Sequence, residues 1–238
     1  MSINISLVLP CYNEEKNIPF LCKEFLELPI QNYRAELILV NNGSTDNTKN
    51  QILGEIKNNN SPNAIIRLVD LNYNQGYGGG IFEGLKKANG DYIGWAHADL
   101  QTPLIDFYKL FIKIKGKKKI FGKGVRTNNR GFDGIVSRLH ENLASIILGK
   151  KMREINAQPK IFDRELMKYF TKMPRKWTTL DTYVFYICLK NNIEIETLDV
   201  VFNLRKYGQS KWKNNFINFI SHIFFNIIYL FKLRIFKN

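Results

Sequence analysis

The residues best suited to chemistry stand in the stretch NGDYIGWAHADLQTP. Its apolar centre predicts a buried strand over 92–98, and His97, Asp99 and Gln101 alternate with apolar neighbours at its end. Residues two apart share one face of a strand, so the three side chains converge if the chain stays extended. An imidazole, a carboxylate and an amide oxygen together suit a divalent cation, Mn²⁺ first and Mg²⁺ next, whose other ligands would be diphosphate oxygens. The structural alternative is that Asp99 caps the following helix and His97 is merely buried.

A second candidate is the glycine-rich turn NYNQGYGGGIFEGLKKANG, which begins at Asn72. It follows a predicted strand over 64–71 and opens a predicted helix that continues to about residue 88. Glycines at such a place let backbone N–H groups approach a phosphate or sugar at the positive end of a helix. The spacing matches neither the dinucleotide nor the P-loop pattern, and a tight turn without a ligand is equally compatible with it.

Polar and aromatic residues also follow the first two predicted strands, over 5–10 and 36–40. After the first, Tyr12 can stack on a base and Glu14 can accept hydrogen bonds from ribose or base N–H groups. After the second, Asn42 can hydrogen-bond a base edge. Both strand ends are therefore candidates for binding a nucleotide.

These motifs are positioned by a regular alternation of strands and helices. The strands are continuous apolar runs, which is typical of a parallel sheet covered on both faces by helices. Ligands in such sheets bind at the carboxyl ends of the strands, where all four motifs fall, so we expect one shared site. In the second half we predict strands over 119–126 and 193–203, an extended segment over 157–162, and helices over 133–148, 164–171 and 180–190.

The chain has 238 residues, enough for one large domain or one domain with a short appendage, and a net charge of +14. Residues 107–132 hold nine Lys or Arg and no acid, and the stretch from Val200 to the end holds seven and no acid. This excess of positive charge favours binding to nucleic acid, phosphorylated substrates or an anionic membrane. The alternative is that the basic residues only form a solvated surface. Aromatic residues do not interleave the basic runs as base stacking requires, which argues against nucleic acid.

The three cysteines form no C-x-x-C pair, which argues against a disulfide framework or a zinc knuckle. Their odd number favours a reducing cytosol. The sequence begins with a strand pattern, and no signal peptide is visible. These observations favour an intracellular protein.

The tail contains FINFISHIFFNIIYLF, residues 216–231, which is shorter than the ~20 apolar residues of a spanning helix. Polar residues recur in it every three or four positions and basic residues follow, a pattern that predicts an interfacial helix on a membrane. The alternative is a helix that packs on the domain or on a partner subunit. We therefore divide the chain into a domain, residues 1–211, and an amphipathic helix, residues 212–238.

Four stretches of the sequence belong together: PCYNEE, LVNNGSTDNT, the segment from NYNQGYGGG to ADLQTP, and LRKYGQSKW. In order and spacing they resemble the family-two inverting glycosyltransferases with a GT-A fold. The subgroup that they resemble is the dolichol-phosphate mannosyltransferase type, with bacterial relatives that load sugars onto undecaprenyl phosphate. The resemblance covers residues 4–212. It implies an α/β fold with a mostly parallel, Rossmann-like sheet flanked by helices. It also implies transfer from a GDP- or UDP-sugar to a polyprenyl phosphate, with Mn²⁺ or Mg²⁺, on the cytoplasmic face of a membrane.

The resemblance also assigns roles to residues of this chain. Binding of the nucleotide sugar falls to Pro10, Tyr12, Glu14, Asn42, Asn74, Gly76, Gly79, Ala98 and Asp99. The metal ligands would be His97, Asp99 and Gln101. Arg126, Arg205 and Lys211 would hold phosphates, and the two arginines would also offset charge on the leaving nucleoside diphosphate. Surface charge is the alternative for all three.

The sequence departs from the family's pattern at three places. Asn41 and Asn42 replace two aspartates, so the preferred base is open, and His97 replaces the first aspartate of Asp-Ala-Asp-Leu-Gln. The neutral imidazole tilts the preference toward Mn²⁺ or weakens metal binding altogether. The third departure is INAQPKIFDRE, in which we expect Asn156 and Gln158 to face the sugar or the acceptor.

Two other functions stay open at this point. The acceptor could be a hydroxyl in polysaccharide or glycolipid synthesis, which needs a general base, and Asp181 lies where such a base is expected. A lipid phosphate is already an anion and needs none. The chain could also be a non-catalytic homologue that binds nucleotide sugars. The C-terminal helix could bind a membrane partner or a second copy of the chain.

Overall fold

The computed structural model describes residues 3–30, 32–128, 131–175, 179–203 and 216–235. Within these ranges one sheet has seven strands, which are β1 (Ile5–Cys11), β2 (Ala35–Asn42), β3 (Ala64–Leu71), β4 (Tyr92–Trp95), β5 (Ile120–Arg126), β6 (Lys160–Asp163) and β7 (Glu194–Val200). Their order across the sheet is β3-β2-β1-β4-β6-β5-β7. Only β6 runs antiparallel to its neighbours, β4 and β5. The predicted α/β fold with a mostly parallel sheet is confirmed.

Helices cover both faces of the sheet. They are α1 (Ile18–Leu26), α2 (Thr48–Asn58), α3 (Gly76–Lys87), α4 (Leu104–Ile114), α5 (Gly131–Leu148), α6 (Thr179–Lys190) and α7 (Phe216–Ile235). Successive residues of β2 point to opposite faces of the sheet. Leu37 and Leu39 pack in the core beneath α1, α2 and α4, and Ile38 and Val40 pack in the core beneath α3, α5 and α6. This is why the strand is an unbroken apolar run.

Three predicted boundaries were wrong. β4 ends at Trp95 rather than at residue 98, because the chain leaves the sheet there and Leu100 adopts φ +60°. Strand β7, predicted over 193–203, ends at Val200, because the chain leaves the sheet there and the N–H of Phe202 donates to the side chain of Asn128. The helix predicted over 164–171 is a short 3-10 helix, Arg164–Tyr169.

The C-terminal helix α7 packs against α5 and α6. Its inward face contributes Leu230 and Leu233 to the core, and Asn226 is buried on the same face. At Asn226, therefore, the polar stripe of the tail faces the protein and not the solvent. Among the described helices, none combines the length and the hydropathy needed to cross a bilayer.

Candidate active site at the carboxyl edge of the sheet

The parallel strands bring the sequence motifs to a single edge. The segments after β1, β2, β3 and β4 leave the sheet at this edge, and so does Arg126 at the end of β5. Because β6 runs the other way, its first residue, Lys160, lies at this edge too. Contacts between these segments connect the predicted donor-binding residues with the predicted metal motif.

Asn42 holds the glycine-rich turn in place. Its side-chain Nδ2 donates to the carbonyl of Gly76 at 2.9 Å and lies 3.4 Å from Asn74 Oδ1, and its Oδ1 accepts from the N–H of Gln75 at 2.9 Å. An amide side chain can make both bonds, whereas an ionised aspartate could not donate to the Gly76 carbonyl. The departure from aspartate thus has a structural reason, and the expected contact of Asn42 with a base stays a prediction.

Asn41 has a comparable explanation. Its Nδ2 donates to Asp70 Oδ1 at 2.7 Å, and Asp70 also pairs with Lys49 at 2.6 Å. Hydrogen bonds from Lys49 and Asn41 lower the pKa of Asp70 below its usual value. An aspartate at position 41 would set two carboxylates against each other.

The glycines of α3 permit close packing against protein. A Cβ on Gly78 would lie 2.3 Å from the carbonyl oxygen of Pro174, and the N–H of Gly79 donates to the Arg175 carbonyl at 2.7 Å. Gly76 has φ +80°, which favours glycine. The N–H of Gly79, which we expected to contact the donor, is therefore bonded to a protein carbonyl.

Hydrogen bonds connect the segment after β1 to the segment after β2. Asn13 Oδ1 accepts from the N–H of Thr45 at 2.8 Å, and the N–H of Glu14 donates to Thr48 Oγ1 at 2.8 Å. Tyr12 is half-buried beside them. Pro10 lies against Gly80 and so adjoins Asn42. The residues predicted to bind a nucleotide thus form one continuous rim.

His97 and Asp99 lie side by side beyond β4. His97 Nδ1 is 3.9 Å from Asp99 Oδ2, and Asp99 is 5% exposed. Ala98 is buried between them. Two ligands each ~2.1 Å from one ion lie between about 3.0 and 4.2 Å apart, so this pair fits a divalent cation.

The side chain of Gln101 does not lie beside those of His97 and Asp99 along one strand, as the sequence predicted. Because the chain is not extended at Leu100, the three side chains do not alternate along a strand. Gln101 Nε2 donates to the Asn203 carbonyl at 2.9 Å, so its amide oxygen is the atom that would bind a cation. Among the described residues there is no cluster of three or more His, Cys, Asp or Glu suited to a metal. A cation here would need substrate oxygens.

A buried polar network, which the sequence did not reveal, continues from His97. The Tyr77 hydroxyl is 3.2 Å from His97 Nε2 and accepts from Gln158 Nε2 at 3.0 Å. Gln158 Nε2 also donates to Asp181 Oδ1 at 3.3 Å, and Asp181 pairs with Lys160 at 2.6 Å. Burial, followed by the charge of Asp181, raises the pKa of Tyr77 well above its usual value. The only sequence signal was Lys160, a lysine in the segment predicted to be extended over 157–162.

Arg126 is nearly buried at the end of β5. Its Nε donates to Glu154 Oε2 at 2.6 Å, whereas its Nη2 has no hydrogen-bond partner among the described residues. Asn156 Oδ1 and Gln158 Oε1 are likewise buried without a partner in that part of the chain. The other predicted phosphate ligands, Arg205 and Lys211, lie outside the described residues. Arg126 is thus a nearly buried cation whose Nη2 group has no partner among the described residues.

An α/β sheet with polar groups converging on its carboxyl edge defines a nucleotide-binding architecture. The fold is that of GT-A glycosyltransferases. A mannosyltransferase from Pyrobaculum calidifontis, solved with GDP-Man and Mn²⁺, superposes with a TM-score of 0.69 at 17% identity, over 98% of this chain and 65% of its own. Residues 6–188 match the model of Glycosyl transferase family 2. The chain belongs to this family.

Two curated relatives are similar in sequence. The undecaprenyl-phosphate 4-deoxy-4-formamido-L-arabinose transferase of Proteus mirabilis is 27% identical over 87% of this chain. The dolichyl-phosphate beta-glucosyltransferase of Drosophila melanogaster is 33% identical over 48% of it. The chain spans 62% and 36% of the lengths of these relatives.

Proposed function

We propose that the chain transfers a sugar from a nucleotide diphosphate sugar to a polyprenyl phosphate, with inversion at the anomeric carbon. The observation that carries the proposal is the continuous contact from Asn42 through the glycine-rich turn and Tyr77 to His97 and Asp99. It joins the rim suited to a nucleotide with the pair suited to a cation. The two relatives that are named for polyprenyl-phosphate acceptors support the choice of acceptor.

The charge of the leaving group determines what the residues must do. His97 and Asp99 would hold Mn²⁺ or Mg²⁺, and such a cation, when bound, offsets the negative charge that develops on the nucleoside diphosphate. The solved neighbour with GDP-Man and Mn²⁺ supports this assignment. Arg126 would direct its Nη2 toward a phosphate oxygen while Glu154 fixes its Nε. The choice among GDP- and UDP-sugars is open.

A phosphate acceptor fits the site better than a hydroxyl. An oxygen of the lipid phosphate would attack the anomeric carbon as the bond to the diphosphate breaks, and no proton has to be removed. A hydroxyl acceptor needs a base, and Asp181, the expected one, is 2% exposed and paired with buried Lys160. The buried ion pair thus favours the phosphate.

The test compares matched acceptors. The protein is incubated with Mn²⁺, radiolabelled UDP- and GDP-sugars, and either undecaprenyl phosphate or undecaprenol. We expect organic-extractable label with one donor and the phosphate only. Label on the alcohol, or on a short soluble saccharide, would favour the hydroxyl alternative. Nucleotide binding by calorimetry without any turnover would identify a non-catalytic binder and reject the proposal.

The proposal includes peripheral attachment to the cytoplasmic face of an anionic membrane through α7. Phe224, Phe231 and Ile235 are exposed on the side of α7 opposite the buried Asn226 and Leu230. Exposed apolar residues on one helix face, with basic residues around them, favour an interfacial position. A docked partner or a second copy of the chain is the alternative.

Vesicle co-sedimentation tests the attachment. The substitution of Phe224 and Phe231 by serine should weaken binding to vesicles of phosphatidylglycerol and phosphatidylethanolamine, and the remaining binding should fall with salt. The control is Leu53→Ser, which changes an exposed apolar residue on α2. Equal binding of both variants to the vesicles would reject the role of α7. If the molecular mass of Leu53→Ser, but not that of the Phe224 and Phe231 variant, rose with protein concentration, α7 would instead mediate self-association.

A further inference from the structure

We infer that Gln158 determines which sugar the donor carries. Its side-chain oxygen, Oε1, accepts a hydrogen bond from one hydroxyl of the transferred sugar, so a donor without that hydroxyl binds more weakly. The inference rests on the proposed function only in that a nucleotide diphosphate sugar occupies the carboxyl edge of the sheet. It does not depend on the identity of the acceptor.

Gln158 is fully buried and has one polar atom unused. Its exposed fraction is 0%, and its Nε2 donates to the Tyr77 hydroxyl at 3.0 Å and to Asp181 Oδ1 at 3.3 Å. These two bonds use both hydrogens of the amide nitrogen. Oε1 has no hydrogen-bond partner among the described residues. Because a buried acceptor without a partner is costly, a ligand that donates to it binds more tightly.

The orientation of the Gln158 amide is fixed by Asp181. Lys160 pairs with Asp181 Oδ1 at 2.6 Å, so this carboxylate is ionised and can only accept. The Gln158 atom that lies 3.3 Å from the same oxygen must therefore be the nitrogen, since the reversed amide would set two oxygens against each other. The atom without a partner is thus an acceptor, and the group that completes it must be a donor.

The backbone on both sides of Gln158 is held as well. Lys160 Nζ donates to the Ala157 carbonyl at 3.0 Å, and the N–H of Gly124 donates to the Pro159 carbonyl at 2.9 Å. A Cβ on Gly124 would lie 2.2 Å from the carbonyl oxygen of Gln158, so β5 and this loop are in close contact. The loop therefore presents Oε1 in a fixed place, which is what discrimination between similar ligands requires.

The position of Gln158 indicates which part of a donor lies near it. The rim suited to a nucleotide follows β1, β2 and β3, whereas Gln158 precedes β6, which lies on the far side of β4. Through Tyr77, Gln158 adjoins His97, one of the predicted metal ligands. The sugar is joined directly to the phosphate that a cation there would hold, so it extends beyond the diphosphate, away from the nucleotide rim.

The chemistry of the substrates supports the same assignment. Ionised diphosphate and lipid phosphate oxygens have no hydrogen to donate, and a prenyl chain is apolar. The hydroxyls of the sugar are therefore the donors that can reach an acceptor at this place. Asn156 Oδ1, two residues earlier in the same loop, is also buried without a partner in the described part of the chain. A ligand with several hydroxyls suits such a loop.

Calorimetry with UDP-glucose and GDP-mannose, in the presence of Mn²⁺ and without any acceptor, tests the inference. Each compound is compared with its deoxyfluoro analogues, in which one sugar hydroxyl at a time is replaced by fluorine, which cannot donate. For the wild-type protein we expect the loss of one particular hydroxyl to raise the Kd by about 10-fold or more. Equal Kd values for the parent and all of its analogues, in both series, overturn the inference, and this measurement needs no protein variant.

A substitution then links that hydroxyl to Gln158. Gln158→Met removes the acceptor and keeps the length of the side chain, so it should bind the parent and the critical analogue with equal affinity. The matched control is Gln51→Met, which changes a half-buried glutamine on α2 and should discriminate as the wild type does. A Gln158→Met protein that is weaker for every ligand, but still discriminates against the same analogue, rejects the inference.

The two failures are distinguishable. Sugar transfer to undecaprenyl phosphate by the wild-type protein, without discrimination against any analogue, rejects the inference alone. Discrimination that disappears in Gln158→Met, with no transfer to undecaprenyl phosphate by the wild-type protein, supports the inference and rejects the proposed function.

Discussion

Lys160 and Asp181 form an ion pair of 2.6 Å in which both side chains are almost completely buried. Burial lowers the pKa of Lys160, and the Asp181 charge opposes that shift. Lys160 also donates to the Ala157 carbonyl at 3.0 Å, and Asp181 receives a hydrogen bond from Gln158. The pair therefore joins β6 to α6 beneath the candidate site, and each partner is needed to compensate the other.

Removing one partner should be costly for stability. We expect Asp181→Asn to lower the free energy of unfolding by ~3–5 kcal/mol, because it leaves an uncompensated buried ammonium group. The double variant Asp181→Asn with Lys160→Met should recover most of that loss. Urea unfolding of the four proteins in the cycle measures both changes. A single variant as stable as the wild type would show that the pair is not structurally required.

Asp99 is the residue on which the proposed chemistry depends most. Asp99→Asn should reduce kcat for sugar transfer by ~10²–10³, as expected when charge stabilisation of the leaving group is lost. Asp106→Asn is the control, since it changes a similarly buried aspartate at the start of α4 that pairs with Lys109. Initial rates with a radiolabelled donor measure the effect. Equal rates for the two variants would remove Asp99 from the mechanism.

The edge of the sheet could be predicted because it depends on local pattern. Residues 37–40 are apolar on both faces and are followed by two asparagines, so the strand, its burial and its polar end are all visible in sequence. The network around Tyr77 could not be predicted. Tyr77, His97, Gln158 and Asp181 are far apart in sequence and meet only through tertiary contacts. The end of β4 was missed because the left-handed turn at Leu100 has no glycine to signal it.

Arg126 should contribute to binding of the phosphate. Arg126→Lys keeps the charge but loses the fork that binds Glu154 and that would bind a phosphate at the same time. A lost hydrogen bond to a charged group is worth about 1.5–3 kcal/mol, so kcat/KM for the lipid phosphate should fall ~10–100-fold. Arg67→Lys is the matched control, because Arg67 pairs with Glu36 at 2.6 Å at a distance from the site. A similar kcat/KM for the two variants would argue against phosphate contact.

Two glycine substitutions test the packing of the glycine-rich turn. Gly78→Ala would place its Cβ 2.3 Å from the Pro174 carbonyl oxygen, so we expect it to destabilise the protein by more than ~1 kcal/mol. Gly54, in α2, has open space around the position of a Cβ, and Gly54→Ala should stabilise by about 0.5–1 kcal/mol. Thermal unfolding compares the two. A Gly78→Ala protein at least as stable as the wild type would show that α3 is less tightly packed than the structure indicates.

Lys123 gives stability a specific pH dependence. It is 1% exposed, pairs in register with Lys160, and donates to the carbonyls of Gly124 and Arg153. Burial, followed by the charge of Lys160, lowers the pKa of Lys123 to about 7. The unfolded chain keeps an ordinary lysine, so between pH 7 and about 10.4 it binds more protons than the folded protein.

The free energy of unfolding contributed by Lys123 should therefore rise with pH across that window, by up to ~1.4 kcal/mol per pH unit, and it is lost as pH falls toward 7. Lys123→Met removes the titrating group. We expect this variant to be more stable than the wild type at pH 7, with a difference that shrinks steadily up to pH 9.5. Urea unfolding of both proteins at several pH values measures the difference, in which titrating groups that do not interact with Lys123 cancel. A difference that does not change with pH would mean that Lys123 keeps its proton in the folded protein.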